Sequence, residues 1–330
     1  MEEKVTLLPD MQQSRRARKN QQFWTKERKR KLFYSCMIAL PVLQVCIFYI
    51  GTNINSLLLA FRSWNQSKGA MEFCWFDNFK LVFNGRNGAA TSEIISGIGT
   101  SLAAYLIGLA FSLGVGLPFA NAIYKRVPGS GIFKVVLYLP QVLSIVVMCV
   151  IYRNFTDWAF PDIMRDLFNY DMQTGPLSSS STGTIFASVM FFSVFMGFGT
   201  NMLLYTGAMS GISDSMKEAA KIDGARSFGE FIHITVPGVW PTMCTIITVG
   251  LAGLFVNQLN LFSFYADGAP TQVSTLGYYL YKMTYRANNT ANPLTDFPYL
   301  AAFGILLTLV VAPVTIGARK LLQKIGPNGN

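Results

Sequence analysis

Beside serine and threonine hydroxyls, the polar side chains that interrupt the apolar stretches of this chain are amides, and no carboxylate stands at the centre of any stretch. Asn257, Gln258 and Asn260 stand near the end of one apolar run, Asn257 and Asn260 three apart and so on one face of a helix, with Phe255, Phe262, Phe264 and Tyr265 around them, and Asn201 lies near the middle of another. Amides hydrogen-bond hydroxyls and aromatic faces stack on sugar rings, so the combination suits a neutral, polyhydroxylated ligand. The same amides could instead tie helices together, and the sequence leaves both readings open. His233 is the only histidine and has no second ligand nearby in sequence; neither HExxH nor GxSxG occurs. The five cysteines form no CxxC pair, and all but Cys74 lie in apolar segments, where a thiol behaves as a small hydrophobe. No GxxxxGK[ST] appears, so the chain carries no P-loop for ATP phosphates. Neither catalysis, a disulfide framework nor a metal site is indicated.

A second polar island, Glu218-Ala219-Ala220-Lys221-Ile222-Asp223-Gly224-Ala225, separates two long apolar segments. Asp214 or Ser215 can cap a short helix there, Ser215 and Glu218 have capping-box spacing, and Gly224 suits the left-handed position that ends it. Ser227 and Glu230 repeat the spacing before a second short helix with Phe228, Phe231 and Ile232 on one side, which Pro237 is expected to stop. Ala219 and Ala220 keep the first helix slim, Glu218 offers a fixed charge, and Met216 and Ile222 supply apolar grip. Helix, sharp turn, helix is the form of a hook for a cleft on a partner and equally of a plain helical hairpin on a membrane protein, and the residues alone leave both readings open.

The elements that must carry these groups are membrane spans. The chain is 51% hydrophobic and 13% charged, and a soluble domain carries about twice that charge. Its apolar matter comes in blocks of the roughly 20 residues that a bilayer core takes. Six spans are expected, near 33–59, 97–123, 135–152, 184–207, 239–264 and 298–318, with the hook between the fourth and fifth. The fold class is therefore all-α, a polytopic helical membrane protein. In the second span Ala104, Gly108, Ser112, Gly116 and Ala120 recur at steps of four, a face on which helix backbones can approach closely. No span has a carboxylate at its centre, which counts against a proton- or sodium-coupled carrier.

Orientation follows from lysine and arginine. Most of the 27 lie in the amino-terminal tail, in the loop holding Lys125, Arg126 and Lys134, in the hook with Lys217, Lys221 and Arg226, and after the last span. The positive-inside rule puts the hook and both termini in the cytoplasm. The formal net charge of +10 is thus mainly a topology signal, and the Arg15–Lys31 cluster reads as a solvated, lipid-facing tail, not a nucleic-acid site.

The ordered residues Glu218-Ala219-Ala220, Asp223-Gly224-Ala225, Phe231, Ile234, Pro237 and Pro241 resemble the EAA loop of the membrane-spanning subunits of ATP-binding-cassette importers. Trp75-Phe76-Asp77-Asn78-Phe79, Lys134 to Pro140, and Asp267-Gly268-Ala269-Pro270 with Thr275 resemble segments of the maltose-type carbohydrate permeases, with Lys134 where arginine is common and Ala269 where a second glycine is usual. The resemblance runs from about Leu32 to Gly326. It implies a basic tail (1–31), a permease domain (32–318) whose coupling loop is 211–237, and a cytoplasmic tail (319–330). It also implies a bacterial cytoplasmic-membrane location, a second related permease, two ATPase subunits that bind ATP and magnesium, and an extracytoplasmic binding protein that delivers sugar. Glu218, Ala219, Ala220, Asp223 and Gly224 would then couple to the ATPase, and Asn257, Gln258, Asn260 and Asn201 would line the path. A peptide, phosphate or polyamine permease of the same importer class is the competing reading.

Overall fold

The computed structural model describes residues 26–84, 89–289 and 293–326. Most of the basic amino-terminal tail, Arg86 and the last four residues lie outside them. The chain divides into two compact units, Met1–Leu59 and Ala60–Asn330.

The described part of the first unit is one helix, α1 (Lys26–Leu59), widened by a π-helical turn at Val45–Ile50. None of its residues is buried, and its apolar side chains face outward all round. A helix apolar on every side is suited to hydrocarbon. Three of its polar groups bond to its own carbonyls: Thr52 to Phe48, Asn53 to Tyr49 at 2.6 Å and Ser56 to Thr52 at 3.1 Å. That satisfies them without water.

The second unit opens on an antiparallel hairpin, β1 (Arg62–Asn65) and β2 (Ala70–Phe73), a small addition to an otherwise helical chain. The buried amide of Asn78, on α2 (Asp77–Asn84), donates to the carbonyls of Ala60 at 2.9 Å and Arg62 at 2.7 Å and holds the hairpin's foot. Next come α3 (Ala89–Phe111, carried through a π turn at Ser112–Gly116 into Leu117–Tyr124), α4 (Ser130–Val142), α5 (Ile145–Phe168) and α6 (Thr182–Met209). The hook helices α7 (Asp214–Ile222) and α8 (Ser227–Gly238) follow, then α9 (Trp240–Ala252), α10 (Leu261–Tyr265), α11 (Leu276–Asn289) and α12 (Pro293–Ile325).

Among the described residues, four helices are long and apolar enough to cross a membrane: Lys26–Leu59, Thr91–Tyr124, Thr182–Met209 and Asp296–Ile325. Two bent pairs bring the number to six: α4 with α5, at 105°, and α8 with α9, at 62°. The expected span 135–152 is therefore not one straight helix. It breaks at Leu143–Ser144, where Leu143 is extended and α5 starts afresh. The expected span 239–264 stops as a helix at Ala252, followed by turns to Asn260.

Packing joins α3, α6 and α9. Ala104, Ser112, Gly116 and Ala120 of the small-residue face are buried, and Leu117 and Ala120 pack with Met202, Tyr205, Met209, Val239 and Met243. A second cluster holds Val189, Phe192, Leu261, Phe264 and Tyr278, and a third holds Leu276, Tyr279, Tyr299 and Phe303.

Candidate functional site

A cavity of about 460 Å³ lies between α3, α6, α9 and the turn that follows α9. Its polar lining comes from Ser101, Tyr105 and Ser112 of α3, Ser193, Thr200 and Asn201 of α6, Thr245 of α9, Asn257 of the turn and Thr275, and no lining residue is charged. The small residues of α3 make the space: a side chain added at Gly108 would meet no atom within 4 Å. The wall is tied together behind them. Ser112 and Tyr205 share a buried hydroxyl bond of 3.1 Å, Tyr105 donates to the Ile247 carbonyl at 3.1 Å, and Thr200 donates to Gln141 at 2.7 Å. Neutral hydroxyls and amides in a mostly apolar cleft can hold an uncharged hydroxylated molecule; no acid–base or nucleophilic pair stands there.

Of the four amides read from the sequence, Asn201 and Asn257 line this cavity, whereas Gln258 and Asn260 do not. The helical spacing that put Asn257 and Asn260 on one face does not apply, because neither lies in a helix that continues α9. Asn257 Oδ1 accepts the Leu259 N–H at 2.9 Å, a turn that short amide side chains favour. Asn260 takes a left-handed conformation (φ 57°) at the start of α10. Gln258 Oε1 is buried without a partner.

The hook is helix, turn, helix. Gly224 has φ +80°, its N–H bonds to the Lys221 carbonyl at 3.1 Å, and Ala225 N–H reaches the Ala220 carbonyl at 2.9 Å, the paired closure of a Schellman motif. Glu218, Ala219 and Asp223 are exposed, Ala220 is half-buried, and Ile222 and Phe228 are 85% and 72% exposed. No residue of α7 is buried. Neither expected capping box forms. Helix α7 starts at Asp214 after Ser213, with no side-chain cap, and Ser215 bonds to Ser213. In α8, Ser227 and Glu230 instead both accept from Lys125, at 3.1 and 2.9 Å, because a charged donor outcompetes a backbone amide. Helix α8 ends at Gly238, one residue past Pro237, and the chain bends at Val239. His233 bonds to the Gly229 carbonyl of its own helix at 3.0 Å, a packing role.

The model of the family described as "binding-protein-dependent transport system inner membrane component" matches residues 112–326, from the π turn of α3 to the end of α12. The chain belongs to this family. It is thus an inner-membrane transport component and not an enzyme. It is 21% identical over 291 residues to the multiple sugar-binding transport system permease protein MsmF of Streptococcus mutans, covering 88% of this chain and 95% of the relative. It is 25% identical over 277 residues to the sn-glycerol-3-phosphate transport system permease protein UgpA of Shigella dysenteriae, covering 83% and 90%. Its fold matches a chain of a bacterial alginate ABC transporter solved with a pentasaccharide-bound periplasmic protein: TM-score 0.71, 16% identity, 92% of this chain and 99% of that one.

Two parts of this transport component were missed in the sequence. Helix α11 has low mean hydropathy and so looks like loop, yet Thr275 Oγ1 caps it by accepting the Tyr278 N–H at 3.1 Å, a signal visible as Thr before an apolar run. The other is the grip of α3 on the hook. Lys217 donates to the Tyr124 hydroxyl and lies 5.0 Å from that ring's centre, and the Tyr124 hydroxyl holds the Lys217 ammonium above the ordinary lysine range. Contacts so far apart in the chain leave no mark in local sequence.

Proposed function

We propose that this chain is the permease subunit of an ATP-binding-cassette importer for a neutral sugar or oligosaccharide, with the path running through the cavity bounded by Asn201 and Asn257. Family membership supports the transport role, and the uncharged lining supports the substrate class. The MsmF relative is named for sugars and UgpA for a phosphate ester. An anionic cargo calls for Lys or Arg at its site, and the lining has none, so the sugar is favoured. A second permease completes the path, two ATPase subunits bind ATP and magnesium, and an extracytoplasmic binding protein delivers cargo.

In this reading the exposed face of the hook, with Glu218, Ala219, Asp223 and Gly224, sits in the ATPase cleft, and the hook and both termini are cytoplasmic. Supporting this, groups expected on one side do gather: Lys125 meets the hook, and Trp240 Nε1 donates to the Leu322 carbonyl near the carboxyl end at 3.0 Å. ATP draws the ATPases together, the hooks follow, and the spans alternate between inward-open and outward-open states. ATP and the loaded binding protein favour the outward state only to the extent that they bind it better.

The test is competition for uptake in proteoliposomes holding the whole importer and its binding protein. Neutral oligosaccharides are expected to compete and phosphorylated polyols not to. Competition by the phosphorylated compounds alone overturns the substrate reading.

A further inference from the structure

The last turn of α3 touches both helices of the hook. Tyr124 is the final residue of that helix, and its hydroxyl and ring receive Lys217 of α7. Lys125 is the capping residue, and its ammonium pairs with Glu230 of α8 at 2.9 Å and donates to Ser227 at 3.1 Å. These tethers are sheltered in an otherwise open hook: the Lys125 and Glu230 side chains are 25% and 13% exposed. The end of the helix is also fixed in direction. Arg126 N–H bonds to the Ile123 carbonyl and Val127 N–H to that of Ala122, with Arg126 at φ 54°, a left-handed closure that arginine adopts at a cost. Such a closure leaves Tyr124 and Lys125 little freedom to swing independently of α3.

The other end of this stretch is the cavity. Gly116 lines it, and Tyr124 stands eight positions further on, about 12 Å of helix. Between them, Leu117 and Ala120 are buried against α6. The segment is a short, packed rod with hook tethers at one end and cavity wall at the other. Immediately before it lies the π turn Ser112–Gly116, closed by the Leu117 N–H on the Ser112 carbonyl. A wide turn of this kind is a place where a helix can re-phase.

We infer that Tyr124 and Lys125 are the joint through which displacement of the hook reaches the cavity wall: α7 is gripped by Tyr124, α8 by Lys125, and both pull on the rod that ends at Gly116. They are positioning residues and touch neither cargo nor nucleotide. The inference rests on the hook being the ATPase contact, and the experiment separates the two.

The measurement is cargo transported per ATP hydrolysed in proteoliposomes containing the whole importer. Variants are Lys125→Gln, Lys125→Arg, Tyr124→Leu and the exchange Lys125→Glu with Glu230→Lys, run beside Glu218→Lys. The expected result for Lys125→Gln is a fall in the ratio of about threefold to tenfold, the scale on which paired sites couple, with ATPase subunits still bound. Lys125→Arg and the charge exchange recover most of the ratio, whereas a role in folding alone lowers the amount of assembled importer and leaves the cargo moved per ATP by the assembled fraction unchanged. If Lys125→Gln does not assemble, the exchange variant, which restores the pair, carries the test. An unchanged ratio in both Lys125→Gln and Tyr124→Leu, with uptake abolished by Glu218→Lys, overturns the joint and leaves the hook reading standing. A fall that the exchange does not repair also overturns it. Normal uptake by Glu218→Lys defeats the hook reading itself.

Discussion

Around the cavity, helices meet almost backbone to backbone: a side-chain carbon added at Gly199 of α6 would come within 2.6 Å of the Leu137 carbonyl oxygen of α4. In the hook, a carbon added at Gly224 would meet nothing within 4 Å, and α7 has no buried residue. One region is held by packing and buried hydroxyl bonds, the other by two lysine tethers and a turn, with only the root of α8, Phe231 and Val236, packed on the cluster below. Close-packed interiors resist gradual deformation, so the cavity wall should shift as whole helices. The hook, with little of its surface committed, has what a docking element needs, an exposed face on a defined backbone.

The largest effect expected from this contrast lies in the hook. Glu218→Lys and Gly224→Val should reduce uptake to background while expression stays near normal; the melting temperature should hold for Glu218→Lys, whose side chain is exposed, and Gly224→Val should strain the exposed turn alone, since no packing is lost there. The Gly224 requirement is conformational, not steric, so Gly224→Asn, a residue that tolerates positive φ, should retain much of the uptake that Gly224→Val loses. Equal loss in both would point to space at Gly224 as the constraint.

Gly199→Ala reverses the pattern. Overpacking against Leu137 should cost about 1–3 kcal/mol of stability and lower the melting temperature in detergent. A melting temperature that does not move would mean that α4 and α6 yield to each other, and that the contrast between close-packed wall and exposed hook is overstated.

The legibility of the chain follows the same division. The hook could be read because its turn depends on local chemistry, Gly224 closing α7 as its position implies. The capping boxes could not, because Lys125 lies about a hundred residues away in sequence and takes both side chains. The apolar blocks predicted where the membrane helices fall but not where they break: mean hydropathy is blind to a bend, and Pro140, three residues before the break at Leu143-Ser144, was the local signal. After Ala252, the Gly253 stop and the run Asn257-Gln258-Leu259-Asn260 contain the turn formers, and the amides read as a helix face turn out to build the turn.

Smaller effects sharpen the cavity side. Asn201→Ala and Asn257→Ala each remove a hydrogen-bonding group worth roughly 0.5–1.5 kcal/mol to a buried ligand, so apparent affinity for cargo should weaken by about threefold to tenfold. If these amides only tie helices, the melting temperature falls instead and affinity holds. The smallest effect belongs to Gln258. Its Oε1 is buried and unpaired, so Gln258→Met should leave uptake unchanged and stability unchanged or raised by up to about 1 kcal/mol. A marked loss of uptake would bring Gln258 into the path. The Lys217 tether adds no pH step near neutrality. With its folded-state value raised, its contribution is complete below the ordinary lysine value of 10.5 and is lost only as pH climbs through the raised one.

The claim on which the rest depends is that the hook meets an ATPase inside the cell. It is tested most directly by labelling with a membrane-impermeant maleimide in a background where the five native cysteines are replaced. Single cysteines are placed at Ala219 in the hook and at Ser180, an exposed residue in the segment between α5 and α6. The account predicts labelling of Ser180→Cys in intact cells. It predicts labelling of Ala219→Cys only in inverted vesicles, with protection there when the ATPase subunits are present. Labelling of Ala219→Cys in intact cells, or no protection by the ATPase in inverted vesicles, would contradict it.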